Sequence, residues 1–346
     1  MMRKVFFVIF QFVFFISFSQ IPAGYYDSAA GLNGESLKIS LHNIIDNHTA
    51  VDYSAIHAYY ESTDKKPNGK VWDIYSSVAS GTPPYEYSFI PADQCGNYSQ
   101  EGDCYNREHS WPKSWYGGEV MPMYTDLFLV YPSDGYANGK RSSYPYGEVN
   151  SASWTSLNGS KLGNCVAAGY TQTVFEPIDL FKGDLARSYF YMSVRYYNED
   201  SSWPGSDMVD GAELKPWALS LMLNWHYNDP VSQKEIDRNN AIYVIQNNRN
   251  PFIDHPEWID SIWNPTFNIE IIPENYHIKI YPNPTDGKII IETKDLLEVE
   301  IINLMGTIVQ KFKNTSKIDI SKQSKGIYFI KITNKKSTVV EKIILE

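Results

Sequence analysis

Glu108 and His109 stand side by side in the run Arg107-Glu108-His109-Ser110-Trp111-Pro112. A carboxylate beside an imidazole can divide the labour of a hydrolysis. The acid can hold a divalent cation, and the histidine can take a proton from water near neutral pH. The pair gains weight from Ser133-Asp134-Gly135-Tyr136-Ala137-Asn138-Gly139-Lys140-Arg141-Ser142 downstream. Pro132-Ser133 is expected to open a short helix there, with Ser133 as its cap. Asn138 and Arg141 are three residues apart and share a face of such a helix. Packed under the strand that carries Glu108, the helix would bring the Glu108 carboxylate and the Asn138 amide oxygen to one hard cation. Oxygen ligands suit magnesium, with calcium or manganese as alternatives, and not zinc. The chemistry that fits is phosphodiester cleavage. His109 would be the base, the cation would clamp the phosphate, and one cationic side chain would steady the extra negative charge. Arg141, Lys113 and Arg107 are the candidates for that last role, unranked by sequence. Lys140 and Lys182 are candidate phosphate contacts. Trp111 and Trp115 either stack on bases or build the core. The plain alternative is that His109 merely packs against these tryptophans.

These residues need elements to hold them. The Glu108-His109 segment is expected at the end of an extended strand, with Pro112 preventing a helix beyond it. Leu37, Leu41, Ile44 and Ile45 follow helical spacing, and a second helix is expected over 54–61. Trp72 to Ser76 is expected to be a strand. Asp184 is expected to cap a helix carrying Leu185, Tyr189, Met192 and Tyr196 on one face. Another helix is expected over 213–226. Ser232-Gln233-Lys234-Glu235 has the capping-box pattern and leads into one more. After Trp263 the composition changes. Residues 264–275 read as a linker, and 276–346 as short alternating strands separated by turn residues, a small β-sandwich with no plausible catalytic grouping.

Residues 1–20 read as a cleaved secretory signal. Arg3 and Lys4 precede an apolar run that is too short to span a bilayer, which needs about 20 residues. No later stretch is apolar enough to span, so the mature chain is expected to have no membrane segment. Export would permit a disulfide, and Cys95 and Cys104 are the candidate pair; Cys165 is the odd thiol. The net charge is −10. It is uneven, since residues 276–346 hold 12 lysines against 8 acids. The remainder is strongly acidic, which argues against a broad basic surface for wrapping nucleic acid. The 26 Tyr and 9 Trp suit an aromatic core, a sugar groove or a base-stacking platform alike.

At these motifs the chain resembles the bacterial endonuclease I family, secreted or periplasmic nonspecific nucleases with a ββα-metal (His-Me finger) core. The likeness rests on 107–112, Thr125-Asp126-Leu127, Pro132-Ser133-Asp134-Gly135 and Asn138-Gly139-Lys140-Arg141-Ser142. It continues through Phe175-Glu176-Pro177, Lys182-Gly183-Asp184-Leu185-Ala186-Arg187 and 248–256. It implies His109 as general base, Glu108 and Asn138 as metal holders, and DNA, RNA or both as substrate with little sequence preference. The chain departs from the family pattern in two places. Phe128 follows Asp126-Leu127 where relatives commonly carry histidine. From Ser110 to Asp126 there is no arginine, only Lys113.

The tail, with Tyr281-Pro282-Asn283-Pro284, Asn303-Leu304-Met305-Gly306 and Lys325-Gly326-Ile327-Tyr328, resembles the C-terminal sorting domain of type IX secretion in Bacteroidota. That likeness implies a partner, the type IX machinery, and a secreted or cell-surface location. The expected architecture is α+β. A mainly helical nuclease domain (21–263) surrounds a ββα-metal core, and a small all-β sandwich (276–346) follows; the whole is expected to be a monomer. The rival reading is a catalytically weak or inactive surface protein, binding nucleic acid or glycan on a nuclease scaffold.

Overall fold

The computed structural model describes residues 21–264, 279–292, 298–303, 308–333 and 338–346. The expected signal (1–20), nearly all of the expected linker and residues 304–306 of the tail motif lie outside the described residues. The chain divides into two compact units at Trp263 and Asn264.

The first unit mixes helices with small antiparallel sheets. In chain order its helices are α1 (Gly34–Ile45), α2 (Ile56–Thr63), α3 (Gly135–Arg141), α4 (Lys182–Arg195), α5 (Pro216–Asn228), α6 (Gln233–Gln246), α7 (Pro251–Asp254) and α8 (Trp258–Trp263). Its strands are β1 (Tyr105–His109), β2 (Val130–Asp134), β3 (Val149–Thr155), β4 (Lys161–Cys165), β5 (Thr173–Glu176), β6 (Val209–Asp210) and β7 (Glu213–Leu214). β1 pairs antiparallel with β2, and β3-β4-β5 make a second sheet. Every residue of α4 is buried, and the helix packs against α1, α5 and α7. A helix surrounded on all sides does not show a single apolar stripe, so the one-face pattern of Leu185 and Tyr189 understated its burial.

Four local expectations are corrected. Trp72 to Ser76 is a turn: the Asp73 carboxylate accepts the amides of Tyr75 at 2.7 Å and Ser76 at 3.2 Å, which competes with a sheet ladder. Ser133 lies in β2, and Asp134 caps α3 by accepting the Ala137 amide at 2.7 Å. Asp184 sits inside the first turn of α4 rather than before it. Glu213 and Leu214 form β7, and α5 starts at Pro216, a residue suited to the first helical position. The Ser232 capping box is formed as read.

In the second unit, β8 (Lys279–Tyr281), β9 (Lys288–Glu292) and β12 (Lys317–Asp319) form one sheet. β10 (Glu298–Asn303), β11 (Ile308–Lys313), β13 (Gly326–Thr333) and β14 (Thr338–Leu345) form the other. Ile289, Ile291 and Ile318 from the first sheet share a core with Val299, Ile301, Ile330, Ile332 and Ile343 from the second. This is the face-to-face packing of a sandwich.

Candidate active site

The β1–β2 pair sets the site's frame. Glu108 lies opposite Tyr131 and His109 opposite Val130. Successive strand residues face opposite ways, so Glu108 turns toward α3 while His109 turns toward the connection between the two strands. α3 follows β2 without a break because Asp134 is held fast. Its carboxylate also accepts the Tyr87 hydroxyl at 2.6 Å and the Gly102 amide at 2.9 Å. A disulfide joins Cys95 to Cys104, and Tyr98 from that loop lies flat against α3. A Cβ at Gly135 would come within 2.6 Å of the Tyr98 ring, and one at Gly139 within 2.8 Å of its hydroxyl. Both glycines of the downstream motif therefore let the Tyr98 side chain lie close against α3.

Glu108 is almost fully buried. Its Oε1 accepts the Tyr75 hydroxyl at 2.9 Å and lies 3.3 Å from Arg141 Nη1. The Tyr75 and Tyr146 hydroxyls are 2.9 Å apart. Burial nevertheless raises the Glu108 pKa; Arg141 and the tyrosines oppose the rise without cancelling it. The carboxylate is thus short of positive charge. Asn138 donates its Nδ2 to Asn106 Oδ1 at 2.7 Å, which leaves its own amide oxygen uncommitted and fixes the side chain over β1.

His109 Nε2 lies 2.9 Å from the Tyr124 carbonyl oxygen. A carbonyl only accepts, so Nε2 carries the proton and Nδ1 keeps its lone pair. The imidazole lies parallel to the Tyr124 ring with centroids 5.2 Å apart, and Tyr53 stacks on Tyr124 at 4.4 Å. The Arg107 guanidinium covers Tyr53 at 3.8 Å and donates to its carbonyl at 2.8 Å. Burial pulls the His109 pKa down to about 4; the Tyr124 bond opposes this, and Lys113, Arg107 and Arg141 add to it. The imidazole is neutral at physiological pH, in a field of three cations.

The candidate residues divide. Arg141 is buried, with Nη1 on the His109 carbonyl at 3.1 Å and Nη2 on the Ser110 carbonyl at 2.6 Å. It clamps the backbone on either side of the strand end with both Nη groups, while its buried Nε has no partner. Lys113 is exposed, paired with Glu119 at 2.9 Å and lying over Tyr124 at 5.2 Å. Lys140 lies over Tyr136 at 5.1 Å. Lys182, expected on a phosphate track, is instead enclosed by Glu176 at 2.9 Å, Glu148 at 3.0 Å and Asp179 at 2.8 Å. Trp111 is fully buried and Trp115 nearly so. They pack against each other, with Tyr189 and Trp203 against Trp111. Neither presents a face to a base, and both belong to the core.

Sequence reading missed the tyrosines. Tyr75 and Tyr146 grip Glu108, and Tyr124 and Tyr53 frame His109. No spacing rule links positions so far apart along the chain. Asp126 carried a motif signal, and it anchors a buried network: Tyr191 at 2.8 Å, Tyr196 at 2.7 Å, Gln246 at 3.1 Å and the Phe128 amide at 3.0 Å. Phe128 is buried against Tyr191, filling with apolar contact the place where histidine was expected from relatives. Arg187 pairs with Glu235 at 2.5 Å, and Asp184 with Lys234 at 2.5 Å.

The profile of the Endonuclease I family matches residues 33–257, a span holding every residue just described. The chain belongs to the endonuclease I family. Residues 279–346 match the secretion system C-terminal sorting domain. An extracellular ribonuclease of Bacillus amyloliquefaciens is 36% identical over 248 residues, covering 69% of this chain and 78% of that protein. Its counterpart in Bacillus subtilis is 35% identical over the same length and coverage. A periplasmic deoxyribonuclease of Aeromonas hydrophila is 27% identical over 138 residues, covering 39% of this chain and 50% of that protein. This endonuclease I family member is a secreted or cell-surface nuclease acting on nucleic acids. No helix among the described residues is long and apolar enough to cross a membrane.

Proposed function

We propose that the chain is a divalent-metal-dependent endonuclease that hydrolyses the phosphodiester bonds of both RNA and DNA with little sequence preference. The observation that carries this is the state of His109. Its Nε2 proton is committed to the Tyr124 carbonyl, and its pKa is near 4. The free Nδ1 is therefore a base at neutral pH, held in one tautomer by the backbone. RNA and DNA are both put forward because relatives of each name align over the catalytic span.

The residues present fit a hard cation. Glu108 is a buried carboxylate with too little counter-charge, and Asn138 retains its amide oxygen. Among the described residues no group of three or more His, Cys, Asp or Glu could hold a metal. A magnesium ion, which keeps most of its waters and takes one or two protein ligands, matches this donor set; calcium or manganese would match its oxygen chemistry. When bound, the cation would neutralise the phosphate and the leaving oxygen.

The protein's own part is as follows. His109 Nδ1 accepts a proton from the attacking water while Tyr124 holds the ring. Arg141 keeps the strand end rigid through the carbonyls of His109 and Ser110, and balances part of the Glu108 charge. The cation facing the phosphate is Arg107, seconded by Lys113. Arg107 is half-buried, unlike Arg141, and shares its strand face with His109. The β1–β2–α3 segment serves as the ββα-metal core, and the sorting unit carries the enzyme through the type IX machinery.

Incubating the purified chain with plasmid and with RNA, in magnesium and then in chelator, tests the proposal. Cutting of both polymers in magnesium and none in chelator is expected. Undiminished cutting in chelator overturns the metal assignment.

A further inference from the structure

A cleft of about 400 Å³, lined in part by the residues that follow α3, takes no part in the chemistry above. It lies within the range of small-molecule sites, about 300–1,000 Å³. Its walls include Tyr144, Pro145, Tyr170, Gln172, Ser206 and Asp207. No lysine or arginine lines it. Asp207 is the one charged group among the lining residues, so a phosphate would stay outside the cleft and only an uncharged group would enter it.

Two connections tie the cleft to the catalytic strand. Ser143 and Tyr144 follow α3 directly, and the Tyr144 amide donates to the Arg141 carbonyl at 3.1 Å. Arg141 in turn holds the carbonyls of His109 and Ser110. On the other wall, the residue before Ser206 is anchored to the stretch after His109, with the Gly205 amide on the Trp115 carbonyl at 3.0 Å. Both walls therefore hang from the segment that carries the base.

The lining is built rather than incidental. Tyr170 stacks on Trp217 with centroids 4.4 Å apart and planes within 5°. The Tyr170 hydroxyl donates to Asp207 Oδ2 at 2.9 Å, and the Trp217 indole donates to the Asp207 carbonyl at 3.0 Å. The Asp207 carboxylate is thereby fixed, with Oδ1 and the second lone pair of Oδ2 left to accept. Tyr144 is 41% exposed, leaving an aromatic surface available to a planar ligand.

Resting on the nuclease reading, we propose that this cleft is a base subsite, taking an unstacked guanine of the bound nucleic acid. An aromatic wall stacks any base. A fixed carboxylate accepts two adjacent N–H groups, and guanine alone offers two such donors on its pairing edge, N1–H and the exocyclic amine. Gln172 supplies an amide that can serve the O6 acceptor. Single-stranded nucleic acid is read in this way, by stacking and by the pairing edges of splayed bases. The subsite biases cleavage toward guanine without imposing a sequence.

The experiment compares the full chain with Asp207→Asn and Tyr144→Ala, with melting temperatures recorded to confirm folding. The substrates are short single-stranded oligonucleotides with and without guanine. D207N is expected to raise KM about tenfold for guanine-containing oligonucleotides, with kcat and the guanine-free KM unchanged. Y144A is expected to raise KM for both. Binding of guanosine and cytidine 5′-monophosphates is measured in parallel through tryptophan fluorescence, which needs no catalysis. Tighter guanosine binding that disappears in D207N is expected. Equal binding of the two nucleotides by the unaltered chain, or a guanine preference unchanged in D207N, overturns the subsite. Tighter binding of a neutral oligosaccharide than of either nucleotide overturns it too. Failure of the unaltered chain to cut any oligonucleotide instead sinks the nuclease reading, and the nucleotide-binding arm still judges the cleft.

Discussion

The two units of this chain are held together by different physics. In the sandwich, the interior is Ile289, Ile291, Val299, Ile301, Ile330, Ile332 and Ile343, and its ion pairs, such as Lys311–Glu300 at 2.5 Å, stand at the surface. In the nuclease unit, buried arginines pair with acids, among them Arg141–Glu108, Arg187–Glu235, Arg238–Asp64 and Arg249–Asp254. Tyrosine hydroxyls join them, as at Glu108 and Asp126. An apolar core needs only shape and volume, and tolerates repacking. A buried ion pair gives little net stability, yet removing one partner strands the other charge. The difference separates their tasks. The nuclease unit holds the Glu108 carboxylate and the His109 imidazole in one arrangement, as the proposed chemistry requires.

Four measurements break or sharpen that contrast. The largest effect is expected from His109→Ala, which should cost about 10²–10⁴ in kcat on RNA and plasmid while the far-ultraviolet spectrum and melting temperature hold. Activity within a factor of two of the unaltered enzyme removes His109 from the chemistry. Next, Arg141→Met should destabilise the nuclease unit by about 3–5 kcal/mol, because Glu108 loses its counter-charge and two backbone carbonyls lose their donors. Denaturant titration reads this directly, and a neutral result means that the pair is dispensable to the fold. Ile301→Ala should cost about 2–5 kcal/mol, confined to the sandwich, with nuclease activity untouched. A matching loss of activity shows that the units depend on one another.

The smallest effect is one of pH. With a His109 pKa of about 4, the base stays unprotonated through mildly acid conditions. From pH 7 to about 5.5, kcat/KM should fall less than about twofold through this group, whereas an ordinary imidazole, with a pKa of about 6.5, would lose most of its base form. A roughly tenfold fall over that interval shows that the native environment of His109 is wetter than its burial implies.

Legibility in the sequence followed the same division. The strands of the sandwich alternate buried and exposed residues, as at Lys288–Glu292, so period-two patterning gave the architecture directly. In the nuclease unit, local grammar was readable where it acts within a few residues. The capping box at Ser232, the strand end at His109 and the short helix bearing Asn138 are of this kind. The cap of that helix was misplaced by one residue, since Ser133 and Asp134 are equally good acceptors by type and only the hydrogen bond chose Asp134. Asp73 drew a turn out of a stretch that composition marked as strand.

The chain's own order fixed which chemistry is on offer: a carboxylate, an imidazole and an amide at set positions, a disulfide-capable pair and an alternating tail. Tertiary packing decided the use of everything else. It sank Trp111 and Trp115 into the core, enclosed Lys182 among three carboxylates, and turned both Nη groups of Arg141 onto backbone carbonyls. It also brought Tyr75, Tyr124 and Tyr146 from distant segments to hold Glu108 and His109. The reason is geometric. Spacing along a helix or strand states which residues share a face, and carries no information about the element that will be pressed against it.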